Sequence, residues 1–365
     1  MVDILAIGSG AVNAYRQALS TTSNNIANLN TPGYSRRELS IAESFPVEEG
    51  IFTFGSGAQT KAIARAYDEF IERSLRDATS DLEVNDPIIE YTNRIVDIMG
   101  TPAISVASAL DNFFNSAEQL STDPRSASLR IDFLNSAEVL AARFNDISLQ
   151  VDNIATESEL AFRQSINELN ILSEQLLKVN KQLNRKSSAT EQPPGVLDER
   201  DKLLRQMSEL VKLGVTELPN GQVKVNFGGS GRGYELVTAN ESRQIAIVSG
   251  DKSGGSDIRL TLDPYGVNRP LPTSPSGAIG GSLAFRTEIL RPVRIGLDYL
   301  ARTVADEVNK IHRQGLDANG AFGGDLFRTT ISFDASVDTV NGALSVATTV
   351  TDPLKTPTEA LELIY

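Results

Sequence analysis

Few residues of this sequence are equipped for catalysis. The chain has one histidine, His312, and no cysteine or tryptophan. Thiol catalysis, cysteine-based zinc sites, disulfides and any mechanism that needs two imidazoles are therefore excluded. His312 falls near the predicted end of a helix, where a cation is favoured, and no nucleophile accompanies it. We therefore expect no enzymatic activity, no cofactor and no metal site.

Carboxylates cluster in the segment Leu197-Asp198-Glu199-Arg200-Asp201-Lys202. Paired carboxylates can perform acid–base catalysis only in a cleft that separates their pKa values. Alternating charge, in contrast, is typical of an exposed helix face. We interpret this segment as a solvated part of a helix.

Two glycine-containing segments resemble ligand loops only in part. The glycine-rich run 228–233 lacks the Gly-Lys-Ser/Thr ending of a phosphate loop, so a hairpin loop is the better interpretation. A calcium loop counted from Asp317 would place Arg328 where a bidentate glutamate is needed. We interpret the residues from Asp317 to Gly320 as a set of turns.

Composition restricts the partners of the chain. The 365 residues are 40% hydrophobic and have a net charge of −13, from 34 basic and 47 acidic residues. No basic cluster suits nucleic acid, and no apolar run approaches the roughly 20 residues that cross a bilayer. The N-terminus lacks the basic and apolar regions of a cleaved signal peptide. We expect no nucleic-acid partner and no membrane insertion.

Residues 3–28 are predicted to form a helix with a wide apolar face. One stripe of small and apolar residues recurs at spacings of three and four, and a second recurs every seven residues. Because few charges interrupt this face, we expect the helix to be loosely packed in the isolated chain, with Ala14 facing water until a partner docks. The predicted assembly interface consists of Ile4, Leu5, Ile7, Ala11, Val12, Ala14, Ala18, Leu19 and Ile26.

The rest of the chain predicts a mainly α protein with β insertions, elongated, with long coiled-coil-like helices and a small β subdomain. A seam from Phe144 to Leu183 predicts one helix over about 125–185, which would be on the order of 90 Å long. We predict an N-terminal helix and turn at 1–35, an extended connector at 36–66 and a helical domain at 67–326. The β subdomain is predicted at 215–276, and an incomplete outer β domain at 327–365.

An asparagine-rich turn follows the first helix. The segment from Ser23 to Arg36 resembles the N-terminal signature of flagellar rod, hook and hook-associated proteins. The later segments 197–204, 281–286 and 315–320 are similar to landmarks of the hook-associated class. The residues that match the family motif are Asn24, Asn25, Ile26, Asn28, Thr31, Gly33 and Tyr34.

This resemblance implies a structural subunit in an adaptor ring at the hook–filament junction. It implies export to the flagellum through the flagellar type III pathway without signal cleavage. The implied partners are copies of the chain itself, hook protein, the next junction protein toward the filament and an export chaperone. It also implies a C-terminal helix that pairs with the first helix; no such segment precedes Tyr365, so we expect the sequence to be a fragment.

Two alternatives remain open from the sequence. One is another flagellar axial protein of the rod or hook class, against which the long seam argues. The other is a secreted enzyme or binding domain on a flagellar scaffold, for which the residues after 330 could provide the domain. A cleft with converging polar groups outside the first helix would favour the second alternative.

Overall fold

The computed structural model describes residues 4–49, 51–100, 105–229, 234–249, 258–266, 269–271, 276–317 and 319–328. The chain divides into two compact units. The first comprises Met1–Asp86, Phe162–Val248 and Arg259–Gly281, and the second Pro87–Ala161, Ser249–Ile258 and Ser282–Tyr365. The predicted outer domain at 327–365 lies outside the described residues apart from its first two.

Helices form most of the described chain, and the prediction of a mainly α protein with β insertions is confirmed. A π-helix, Phe285–Leu290, lies between the α-helices Gly277–Ala284 and Arg291–His312. The α-helices are α1 (Ile4–Ala27), α2 (Glu69–Glu83), α3 (Asn85–Gly100), α4 (Val106–Thr122), α5 (Ala127–Leu183), α6 (Pro194–Leu210), α7 (Gly277–Ala284) and α8 (Arg291–His312). None of these helices is long and apolar enough to cross a membrane within the part of the chain that the structure describes.

The strands of the described residues form four small antiparallel groups. Two are pairs, β1 with β4 and β2 with β3, and two are three-stranded sheets in the orders β5-β6-β7 and β10-β9-β8. The strands are β1 (Arg37–Glu43), β2 (Val47–Glu49), β3 (Phe52–Phe54), β4 (Ala58–Arg65), β5 (Leu213–Glu217), β6 (Val223–Phe227), β7 (Glu235–Val237), β8 (Ile245–Ser249), β9 (Ile258–Leu262) and β10 (Arg269–Pro270).

The apolar seam of α5 provides core residues to both units. In the first unit, the seam from Phe162 to Leu183 is buried. In the second unit, Ile147, Val151 and Ile154 pack in a cluster with residues of α3, the π-helix and α8. The three-and-four spacing identified the buried face of α5 correctly, because such a stripe lies along one side of a helix.

Particular residues set the ends of α1 and α6. The turn after α1 contains no left-handed asparagine, since Asp263 is the only non-glycine residue with positive φ among the described residues. Asn28 instead closes the helix with its amide, which donates to the Asn24 carbonyl at 2.9 Å. α6 begins at Pro194, because proline suits the first helical turn. α6 ends at Leu210, and Leu213 already belongs to β5.

Candidate assembly site

One face of α1 packs against the same chain. The helix contacts β1 and β4, and Ala14 and Thr21 are buried on this side. Ile7, Ala11 and Ala18 are half-buried. These mostly small side chains let the helix approach the hairpin of β1 and β4 closely.

The expectation that Ala14 faces water is wrong, since only 3% of its surface is exposed. The connector that follows α1 folds back as a β hairpin and covers the small-residue stripe. An assembly contact through Ala14 would therefore require that the hairpin first be displaced.

The second stripe of α1 is open to solvent. Val12, Leu19 and Ile26 are spaced by seven residues and are 60%, 68% and 71% exposed, and we call these three the α1 stripe. Ile4 and Leu5, near the start of the helix, are exposed as well. Apolar side chains in a contiguous exposed row are typical of interaction surfaces.

Asn25 joins the end of α1 to the start of β1. Its side-chain Nδ2 donates to the Arg37 carbonyl at 2.9 Å, and its Oδ1 accepts from the Arg37 N–H at 2.9 Å. The Tyr34 hydroxyl donates to the same Oδ1 at 2.8 Å. An amide side chain has one donor and one acceptor side, so it can satisfy both backbone groups of an extended residue. We call an asparagine side chain that binds both the N–H and the C=O of one residue an asparagine clamp.

The other motif residues lie in or beside the turn between α1 and β1. Thr31 donates through its hydroxyl to Asn28 Oδ1 at 3.2 Å. Gly33 has φ of +84°, a conformation that glycine adopts without strain, and a Cβ there would lie 3.4 Å from the Lys202 side chain. Asn24 is exposed and Ile26 belongs to the α1 stripe. The turn therefore comes close to α6.

A buried charge cluster lies between α6 and the hairpin. Asp198, Arg200 and Asp201 are buried, so the interpretation of residues 197–202 as a solvated helix face is wrong. Arg65 of β4 pairs with Asp198, Nε to Oδ1 at 3.0 Å, and also with Asp201. Arg200 pairs with Asp201 at 2.7 Å and with Glu217 of β5 at 2.7 Å. The ion pairs thus connect three elements of the first unit.

Opposite charges stabilise the ionised state of this cluster. Burial alone would lower the pKa of the Arg200 guanidinium, but the Asp201 and Glu217 carboxylates outweigh it and hold this pKa above its usual value. The ring of Tyr67 lies 4.9 Å from the Arg65 guanidinium carbon. Burial, followed by the charge of Asp201, raises the pKa of the Tyr67 hydroxyl. The carboxylates are engaged by arginines rather than presented to a substrate.

Arg37 connects the asparagine clamp to the charge cluster. Its Nη2 lies 3.8 Å from Asp198 Oδ2, and its guanidinium carbon lies 5.0 Å from the centre of the Tyr34 ring. Its backbone is the segment that Asn25 holds. A continuous set of polar contacts therefore runs from the end of α1 through β1 to α6.

Three more asparagine clamps occur on α5 and α8, and the sequence analysis missed them. Asn170 binds the N–H and C=O of Ile245 at 2.8 and 2.9 Å. Asn180, which is fully buried, binds those of Val223 at 3.0 and 2.8 Å. Asn309 binds those of Phe327 at 2.9 and 2.7 Å. An asparagine beside the apolar seam of a long helix could have predicted such a clamp, because a buried amide needs hydrogen-bond partners.

The remaining segments considered for chemistry form local turns. The Asp317 carboxylate accepts from the N–H groups of Ala321 and Asn319, each at 2.8 Å, and these bonds lower the pKa of Asp317. His312 Nδ1 lies 2.6 Å from the Gly324 carbonyl oxygen. The glycine-rich run lies outside the described residues after position 229.

The clamp at Asn25 can be tested with a neighbouring control. Asn25→Ala would leave the Arg37 N–H and C=O without their partner, which costs about 1–3 kcal/mol for a buried group. We expect hydrogen exchange at the Arg37 amide to become at least about fivefold faster, since 1.4 kcal/mol is tenfold in an equilibrium constant. The control Asn24→Ala removes an exposed side chain and should leave this rate unchanged. Equal rates in the two variants would contradict the clamp.

The comparisons with known proteins agree with this architecture. The model of the flagellar hook-associated protein FlgK helical domain matches residues 92–327, and that of the flagella basal body rod protein matches residues 5–34. Flagellar hook-associated protein 1 of Escherichia coli strain K12 is 26% identical over 356 residues, covering 96% of this chain and 64% of that protein. The protein of the same name in Bacillus subtilis strain 168 is 24% identical, covering 94% of this chain and 73% of that protein.

A solved structure also resembles this chain. The flagellar hook junction protein FlgK from Burkholderia pseudomallei is 25% identical, with a TM-score of 0.60, and the match covers 71% of this chain and 46% of that one. The present chain spans about 64% of the length of the E. coli relative. Because the helical-domain model matches more than half of the chain, the chain belongs to the family of flagellar hook-associated proteins with the FlgK helical domain.

Proposed function

We propose that this protein is a structural subunit of the bacterial flagellum, acting as an adaptor in the ring at the hook–filament junction. The observation that supports this most directly is the division of α1 into two faces. One face is held by the chain's own hairpin, and the α1 stripe is exposed. A helix that is anchored on one side can present the other side to neighbouring subunits in a defined orientation.

The proposed partners are those of a subunit that assembles in this ring. They are copies of the chain itself, hook protein on one side, the next junction protein toward the filament on the other, and an export chaperone before secretion. The protein would act outside the cell, in the flagellum, after export without signal cleavage. The Burkholderia relative is described as a hook junction protein, which supports the proposed position.

We further propose that the protein has no catalytic role. Of the three carboxylates in the 197–202 segment, Asp198 and Asp201 are buried in ion pairs with arginines. The third, Glu199, is exposed. The buried cluster instead fixes the connector to α6. A subunit that transmits force between two tubes needs such a fixed connection between its assembly helix and its body.

The α1 stripe can be tested by placing a charge on it. Leu19→Glu should reduce filament-bearing cells at least about tenfold, because desolvating an unpaired carboxylate at an interface costs several kcal/mol. In the free subunit the side chain lies in water and Glu is a good helix former, so the free energy of unfolding should change by less than about 0.5 kcal/mol. Filaments are counted by microscopy in cells that carry only the variant.

The matched control is Ser20→Glu, one residue away on the same helix and also exposed. It adds the same charge outside the α1 stripe and should leave filaments intact. Normal filaments with the Leu19 variant incorporated would show that the α1 stripe is not an assembly contact. A large loss of unfolding free energy would show that Leu19 belongs to the subunit core.

A further inference from the structure

The end of α5 concentrates positive charge in an acidic protein. Lys178, Lys181, Arg185 and Lys186 are all exposed, although the whole chain has a net charge of −13. None of the four forms an ion pair with another residue that the structure describes. The helix dipole favours a cation within the last turn, which accounts for Lys181 but not for Lys178, which lies before it. We call these four residues the basic end of α5, and their charges are available to a partner.

The basic end of α5 borders an open cleft of about 620 Å³. Its lining includes Arg185, Lys186 and Ser187 after α5, and Leu218, Pro219 and Asn220 between β5 and β6. The wall between β5 and β6 is held in place, because the Ala189 N–H donates to the Pro219 carbonyl at 2.9 Å and Gln192 Nε2 donates to the Asn220 carbonyl at 2.8 Å. A cleft with a positive rim and apolar wall residues suits a partner that presents a large apolar side chain beside a carboxylate.

The β2–β3 hairpin presents this combination. Phe45, just before β2, is 87% exposed, and Ile51, in the turn between the two strands, is 92% exposed. Glu48 of β2 and Glu43 of β1 are exposed as well. Neither carboxylate has an ion-pair partner in the described part of the chain. We call Glu43, Phe45, Glu48 and Ile51 the acidic hairpin tip, and large exposed apolar side chains of this kind are typical of interaction surfaces.

The acidic hairpin tip does not occupy the cleft of its own chain, because Phe45 and Ile51 remain exposed. The cleft and the tip both belong to the first unit. Opposite charge attracts the tip to the cleft, whereas like charge disfavours contacts of tip with tip or cleft with cleft. On the proposed function, which includes self-assembly, we propose that the acidic hairpin tip of one copy of this chain docks in the cleft at the basic end of α5 of a second copy.

This contact joins two different surfaces of the chain. Such head-to-tail contacts leave one surface of each kind free at the ends, so they generate rings or helical arrays rather than closed dimers. The contact uses no side chain of α1, so it is independent of the segment that covers the α1 stripe. Because salt screens exposed charges, the contact should weaken as the salt concentration increases.

The absence of cysteine from the sequence makes a direct test possible, because each introduced thiol is unique. Purified Ile51→Cys protein is mixed with Ser187→Cys protein under mild oxidation. We expect the mixed disulfide to exceed, by several-fold, that formed between Ser187→Cys and Ser128→Cys, an exposed control position of α5 in the second unit. Neighbouring cations make a thiol at position 187 more reactive, so this thiol is common to both mixtures.

A charge swap tests whether opposite charges hold the contact. Arg185→Glu with Lys186→Glu in the Ser187→Cys protein should reduce the mixed disulfide several-fold. Glu43→Lys with Glu48→Lys in the Ile51→Cys protein should do the same. Mixing the two charge-reversed proteins should restore the disulfide, because the surfaces again carry opposite charge. A purely structural role of these residues would not produce this rescue.

The other outcomes overturn the inference in distinguishable ways. A yield no higher than the control, or one that the charge reversals leave unchanged, would reject the contact. A predominant Ile51–Ile51 disulfide would mean that the hairpins pair with each other. An Ile51→Cys thiol that resists maleimide in the monomeric protein would mean that another segment covers the hairpin tip.

Filament counts separate this contact from the proposed function. A control-level disulfide together with loss of filaments in cells that carry Arg185→Glu and Lys186→Glu would assign the cleft to a different flagellar subunit and reject the contact between copies. Rejection of the contact would leave the proposed function standing, since the filament assay with Leu19→Glu decides that function separately.

Discussion

Asp201→Ala is expected to reduce the free energy of unfolding by about 3–5 kcal/mol, the range for removing one partner of a buried ion pair. Asp201 accepts from Arg200 and pairs with Arg65, and the side chains of all three are at most 5% exposed. Its removal would leave two buried guanidinium groups short of a counter-charge in a site with little access to water. Chemical denaturation followed by circular dichroism measures the loss.

Asp81→Ala is the matched control for this change. Asp81 also pairs with a basic residue, Lys212, at 3.1 Å, but its side chain is 60% exposed. Exposed ion pairs contribute about 0–1 kcal/mol, so this variant should be nearly as stable as the parent. Similar small losses in both variants would show that the cluster around Asp201 is solvated. Cleavage in the connector at 36–66 should also accelerate in Asp201→Ala if the cluster fixes the connector.

The long helices could be predicted from the sequence because their signal is local. The apolar residues of α5 repeat at three and four, and the structure buries them along one side. The extent of α5, Ala127–Leu183, lies within the predicted range. Such a pattern depends only on helix geometry, and no distant residue is needed to interpret it.

The charge cluster could not be predicted because its partners are distant in sequence. Asp201 and Arg65 are separated by 136 positions. Alternating charges on α6 are equally compatible with water and with buried arginines from a hairpin. The local pattern therefore predicts the more frequent, solvated alternative, and this prediction is wrong. The same reason explains Asn180, whose clamp partner Val223 lies 43 positions away. Local spacing shows that an amide lies beside a seam, but not which backbone it binds.

The two helices with exposed stripes show a different limit. α1 has two stripes, and their spacing does not show which of them packs on the hairpin of β1 and β4. In α2, the apolar side faces solvent and Arg76 faces α6, which reverses the ordinary orientation of an amphipathic helix. Periodicity locates a face but does not say whether its partner is in the same chain. Where the partner is another molecule, sequence periodicity alone predicts burial that the single chain does not show.

The face of α1 that packs on the hairpin gives the last prediction. Ala14→Glu should detach α1 from β1 and β4, because the site is 3% exposed and an unpaired carboxylate there loses its hydration. Opening the helix restores that hydration, so the cost should appear as a local equilibrium rather than as global unfolding. A penalty of at least about 1.4 kcal/mol would increase the open population tenfold. Limited proteolysis within residues 4–27 should therefore accelerate about tenfold or more.

Leu19→Glu is the control that separates the two faces, since it adds the same side chain to the same helix on the exposed α1 stripe. It should leave proteolysis of α1 unchanged while it blocks filament formation. Ala14→Glu should impair both, because a helix detached from the hairpin no longer presents the α1 stripe in a fixed orientation. If Ala14→Glu leaves proteolysis unchanged, the hairpin does not hold α1 in solution. The small-residue stripe would then be free to act in assembly, as the sequence alone suggested.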